Sequence, residues 1–168
     1  MILSEEQKML RDSAQKLNAR VATIDYIRKC DRERLYPYEL YAAWIEAGML
    51  ALPFPEEYGG LGRDVYDMAI IAEELSVPSS DMIMALGGSM FCGLNVARQG
   101  TEEQKKRFLP KLLSGEIHMT ISMSEPDAGS DIGAMRTNAR RDGDHYVISG
   151  QKIWATGAGA KNNFINVY

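Results

Sequence analysis

The sequence predicts an α+β protein, helical from residue 1 to residue 117 and β from residue 118 to residue 168. Two capping boxes, Ser4-Glu5-Glu6-Gln7 and Thr101-Glu102-Glu103-Gln104, open runs with apolar residues at helical spacing. From His118 on the apolar period falls from 3.6 to 2. Asp142-Gly143 then separates two short runs in the manner of a hairpin turn.

In chain order, Met9, Leu10, Ala14, Leu17, Val21 and Ile24 give the first helix one buried face. Pro37 suits the first turn of a second helix, which carries Leu40, Ala43, Trp44 and Ala47 and stops at Gly48. The prolines and glycines from Leu52 to Gly62 exclude regular structure and specify a long ordered loop. A third helix starts at Asp64 and ends before Pro78, because proline disfavours helix in the residue that precedes it. A fourth, Met82 to Gln99, is apolar on most sides and reads as a central buried helix, with Gly87 and Gly88 permitting close approach. The helix after Thr101 ends at Gly115.

In the β part, Met119, Ile121 and Met123 alternate with Thr120, Ser122 and Ser124, giving a strand with one apolar and one hydroxyl-bearing face. Arg136 to Arg141 and His145 to Ser149 form the arms of the hairpin, and Phe164 to Tyr168 is a further strand. So few strands leave open edges and an uncovered face, and the expectation is a piece of a longer parent protein.

At 168 residues and 45% hydrophobic, the chain can bury a core. Its net charge of −4 offers no basic footprint for nucleic acid or an anionic membrane. Cys30 and Cys92 are far apart, without the spacing of a zinc site or a disulfide framework, which fits a reducing, cytoplasmic setting. The opening residues lack the pattern of a secretory signal, and no apolar run approaches the roughly 18 residues needed to span a bilayer. His118 and His145 have no second ligand near in sequence, so core or surface roles are expected and no metal.

Two segments carry chemistry. Ser124-Glu125-Pro126-Asp127-Ala128-Gly129-Ser130-Asp131 is a turn that can aim backbone amides and a hydroxyl at an anion. It lacks the strand, glycine turn and helix of a dinucleotide fingerprint or a Walker loop. Further on, Gly150-Gln151-Lys152-Ile153-Trp154-Ala155-Thr156 would place an indole and a hydroxyl on one side of a strand, facing a planar ligand. Read singly, each has a plainer alternative, a solvated turn and a core tryptophan beside a surface threonine.

Taken together, Met123 to Asp131 and Gly150 to Thr156 resemble the first signature of the acyl-CoA dehydrogenase family, and Pro53 to Gly62 resembles its Pro-Glu-Glu-x-Gly-Gly loop. The resemblance implies a β-barrel-like middle domain after the helical one and a C-terminal helical bundle that these residues do not include. It implies FAD as cofactor, with Ile121, Met123 and Ser124 along the isoalloxazine and Gly129 and Ser130 at the turn. Ser130 would lie near both the pyrophosphate and the acyl-CoA. Trp154 would cover part of the flavin, and Thr156 would donate a hydrogen bond near its reactive nitrogen. Ser124 stands where the family often has Thr and keeps the hydroxyl. Asp127 stands where it often has Gly and adds a charge that can point to solvent.

The implied reaction is α,β-dehydrogenation of an acyl-CoA thioester, with electrons passed on to an electron-transfer flavoprotein by a homo-oligomeric enzyme. The family's base is a Glu of the C-terminal helical domain, so no catalytic residue is assigned to this chain and turnover by it alone is not expected. Glu125 is read instead as a carboxylate that orders backbone amides. Met82 to Met90 is the stretch proposed for acyl contact, since thioethers adapt to flexible chains. Cys30-Asp31-Arg32 with Tyr36-Pro37 is similar to the crotonobetainyl-CoA reductase subgroup, which would run the reaction in reverse. The alternative from another class is a non-catalytic helical interaction module on a β scaffold.

Overall fold

The computed structural model describes residues 2–168. Among these residues six α-helices precede four short strands: α1 (Glu5–Val21), α2 (Ile24–Glu33), α3 (Tyr38–Glu46), α4 (Val65–Ser76), α5 (Ser80–Gln99), α6 (Glu102–Leu113), β1 (His118–Ser122), β2 (Asn138–Asp142), β3 (His145–Ser149) and β4 (Asn163–Val167), with single 3-10 turns at Glu56–Tyr58 and Ile132–Ala134. The α+β order is the one expected. Among the described residues, no helix is long and apolar enough to cross a membrane.

Both capping boxes form, with Gln7 N donating to Ser4 Oγ over 3.2 Å and Gln104 N to Thr101 Oγ1 over 3.3 Å. The first helix does not run on to Ile24. It stops at Val21, and Thr23, in extended backbone, accepts from Tyr26 N and starts α2. The expectation missed α2 altogether, because its ten residues are mostly charged and bury little beyond Cys30. It ends at Glu33, and the cap residue Arg34, at φ 53°, turns the chain back toward Pro37.

The core lies among α1, α3, α4, α5 and α6, where Leu40, Trp44, Phe54, Ile71, Leu75, Leu109 and Leu112 are fully buried. Each such side chain contributes on the order of 2 kcal/mol by leaving water. The Leu52–Gly62 loop belongs to this core through Phe54, and Gly62 N and Leu61 N donate back to Phe54 O and Ala51 O. The close approach on α5 is made by Gly93, not by Gly87 or Gly88. A Cβ at position 93 would stand 2.3 Å from Leu112 Cδ2, whereas at 87 and 88 the nearest atoms lie at ordinary contact distance. Helix α5 begins at Ser80, two residues earlier than expected.

Strand β1 packs on α5, where Met119 N donates to Ser89 Oγ over 3.2 Å. It pairs in parallel with β4, His118 opposite Asn163 and Ser122 opposite Val167. Its hydroxyl face is covered as well, and Thr120 Oγ1 donates to Asn163 Oδ1. Strand pairing ends at Ser122, so Met123 and Ser124 lie beyond it. The β2–β3 hairpin turns on Gly143, at φ 61°, and Asp144. Its first arm starts at Asn138 rather than Arg136, because Arg136 N and Thr137 N donate to the Glu125 carboxylate and not to a ladder. The two pairs remain separate two-stranded sheets.

Candidate functional site

Beyond β1 the chain folds into a tight bend. Glu125 and Ala128 exchange backbone hydrogen bonds of 2.8 and 3.2 Å, with Pro126 and Asp127 at the exposed tip. Asp127 does point to solvent, with Arg136 Nη1 3.6 Å away in a surface pair of little energetic weight. Gly129 and Ser130 follow, both exposed, and no atom lies within 4 Å of a Cβ built on Gly129. That space leaves room for a ligand to approach the backbone.

Glu125 is 7% exposed. Its oxygens accept from Arg136 N at 2.7 Å, Thr137 N at 2.8 Å and Lys152 Nζ at 2.9 Å. Hydrogen bonding from Thr137, then from the Arg136 amide and the Lys152 ammonium, holds the carboxyl down at about 2 against the opposing effect of burial. The side chain orders backbone amides as expected, though these lie eleven and twelve residues on and not in its own turn.

The second segment lies alongside the first. Gly150, at φ 153°, sits so close on Thr137 that a Cβ would come within 2.2 Å of its hydroxyl oxygen. Lys152 Nζ donates to Met123 O over 2.8 Å, and Ile153 N donates to Ser124 O over 2.9 Å. The strand expected through Trp154 and Thr156 is not formed. Trp154 adopts a left-handed φ of 59°, and Thr156 N donates to Trp154 O to close a turn. The alternation argument for their sharing a side therefore lapses, and both are exposed, Trp154 by 83%.

Ile121, Met123 and Ser124 are half-buried, and the carbonyls of Met123 and Ser124 accept from Lys152 and Ile153 of this segment. Thr156 and Gly157 line a recess of about 350 Å³ with Tyr36, Met82 and Ala85. Beneath it, His118 Nδ1 donates to Lys161 O over 2.9 Å, and the ring lies tilted against Tyr41 with centroids 4.5 Å apart. Burial lowers the His118 pKa, partly opposed by that hydrogen bond. It is a core histidine, while His145 lies exposed on β3. Among the described residues, no group of three His, Cys, Asp or Glu side chains could hold a metal ion.

A separate groove of about 460 Å³ runs along α4 and α5, lined by Val65, Met68, Ile83, Met84, Met90 and Phe91 among others, with no charged side chain. It takes in part of the Met82–Met90 stretch. The reading of the sequence overlooked Lys152, whose signal was a lone cation between the apolar Ile153 and a glycine-led turn. Tyr36, read from the sequence only as part of a subgroup resemblance, donates to Ala85 O and ties the α2–α3 connection to α5 beside the Thr156 recess.

The sequence matches the acyl-CoA dehydrogenase N-terminal domain over residues 4–116 and the acyl-CoA dehydrogenase middle domain over residues 120–168. The chain belongs to the acyl-CoA dehydrogenase family. Acyl-CoA dehydrogenase FadE12 of Mycobacterium tuberculosis is 35% identical over 156 residues, which cover 93% of this chain and 40% of the relative. Mitochondrial isovaleryl-CoA dehydrogenase of Bos taurus is 36% identical over 160 residues, 92% of this chain and 37% of the relative. Among solved structures, the glutaryl-coenzyme A dehydrogenase glutaryl-CoA complex superposes with a TM-score of 0.91 at 32% identity, covering 99% of this chain and 43% of that one. The chain thus spans about 40% of the length of the curated relatives it matches.

Proposed function

We propose that this chain supplies the helical domain, residues 1–117, and the opening of the β domain, residues 118–168, of an FAD-dependent enzyme that dehydrogenates acyl-CoA thioesters at the α,β carbons. The observation that carries the flavin reading is Trp154. An indole 83% exposed, on a non-glycine residue at φ 59°, combines an uncovered aromatic surface with an unfavourable backbone. A flat ring stacked on the indole would cover that surface.

The residues present fit such a group. Met123 and Ser124 bond through their carbonyls to the segment that carries Trp154 and Thr156, Ile121 lies on the strand that leads to them, and Gly129 and Ser130 leave an open turn where amides and a hydroxyl can meet a pyrophosphate. Bound there, FAD would supply the hydride acceptor, and the protein would supply orientation and electrostatics. Ser130 also stands where the acyl-CoA would pass. The α4–α5 groove, free of charged side chains, suits an uncharged hydrocarbon acyl group better than a carboxylate-bearing one. No side chain of this chain is assigned the α-proton base, and an electron-transfer flavoprotein is the acceptor the family reading implies.

The test is an anaerobic titration of the FAD-reconstituted full-length protein with acyl-CoA thioesters, following the visible flavin absorbance. Bleaching is expected with aliphatic acyl-CoAs and weaker bleaching with a dicarboxylyl-CoA. A full-length protein that takes up no FAD would refute the flavin reading, and preferential bleaching by the dicarboxylyl-CoA would refute the groove assignment.

A further inference from the structure

Lys152 is half-buried, its side chain only 10% exposed, and its ammonium meets Met123 O at 2.8 Å, Glu125 Oε1 at 2.9 Å and Met135 Sδ at 3.4 Å. A charge taken out of water is costly, and a buried ion pair is often matched or surpassed in stability by apolar side chains of the same volume. Stability alone therefore gives no reason for a lysine here. Its geometry gives one, because three stretches of chain converge on it. Its own backbone leads through Ile153, bonded to Ser124 O, into Trp154 and Thr156. Met123 O belongs to the exit from β1. Glu125 holds Arg136 N and Thr137 N, the entry to the hairpin.

We propose that Lys152 is a positioning residue: through Met123 O and the Glu125 carboxylate it sets the distance and tilt between the indole-bearing segment and the Ser124–Ser130 bend, and so fixes the opening that a flavin ring enters. This rests on the FAD reading above. Lys152 is two residues from the exposed indole and acts on it only through the backbone, so its effect is on placement and not on contact.

The test uses two variants. Lys152→Met keeps the length of the side chain and removes its donors, and Lys152→Met with Glu125→Gln also removes the carboxylate charge left behind. Three quantities are read in each: hydrogen exchange at the Ile153 amide without flavin, FAD affinity from flavin fluorescence, and the urea midpoint. Faster Ile153 exchange and an FAD affinity weakened about tenfold or more are expected in both variants. The double variant should regain much of the urea midpoint without regaining affinity. If both recover together, or if affinity never falls, Lys152 is merely structural and the proposal is overturned. Should the unsubstituted protein bind no FAD, the flavin reading fails, and Ile153 exchange then decides whether Lys152 positions the segment, with unchanged protection overturning it. A single variant that does not fold leaves the decision to the double one.

Discussion

Glu125 sets the pH behaviour of the site. Its carboxyl is held at about 2 in the folded chain, against an ordinary value of 4.5. A depressed carboxylate stabilises the fold fully above its unfolded value, and the contribution fades as pH falls through the interval between the two. Stability should therefore drop between about pH 4.5 and about pH 2 by more than in Glu125→Gln, which should be less stable at neutral pH and flatter in that interval. Urea midpoints measured across the range check it, and parallel curves would count against the role given to Glu125. The reading of residue types foresaw a carboxylate ordering amides. It did not foresee which amides, since Arg136, Thr137 and Lys152 reach Glu125 only once the chain has folded back.

At the level of elements, α2 depends on a single cap. Thr23 Oγ1 accepts from Tyr26 N, and the helix has few buried residues to hold it otherwise. Thr23→Ala should cost about 1 kcal/mol, a loss visible as a lower urea midpoint and faster amide exchange confined to α2. Elements with a strong local signal were legible: both capping boxes, the Asp64 cap of α4 and the glycine turn of the hairpin form as their residues dictate. Those without one were not. Helix α2 is short, mostly charged and buries little beyond Cys30, and the 150–156 segment, which alternates like a strand, is drawn away from strand geometry by its contacts with Thr137, Glu125 and Ser124.

For the whole molecule, the β part is the exposed one. Strand β4 pairs with β1 on one edge, in a sheet of two strands, and leaves Phe164, Ile165, Val167 and Tyr168 each more than 40% exposed. An open apolar edge is a template for pairing with another chain. This chain should self-associate with rising concentration in sedimentation velocity, and Ile165→Lys should lower that tendency. A monomer unaffected by concentration would argue that β4 is better protected than its exposure indicates.

By itself the sequence determined the division into a helical and a β part, the helix starts set by capping side chains, and the pair of segments that resemble a flavin-binding family. Those features rest on bonds between residues a few positions apart, so each is written locally. Only the tertiary structure decided that Gly93 and not Gly87 makes the close approach, that Trp154 stands out on a left-handed residue, and that Lys152 joins the two segments through Glu125. These are contacts between residues distant in the chain, fixed by which surfaces meet when the core closes, and no local spacing encodes them.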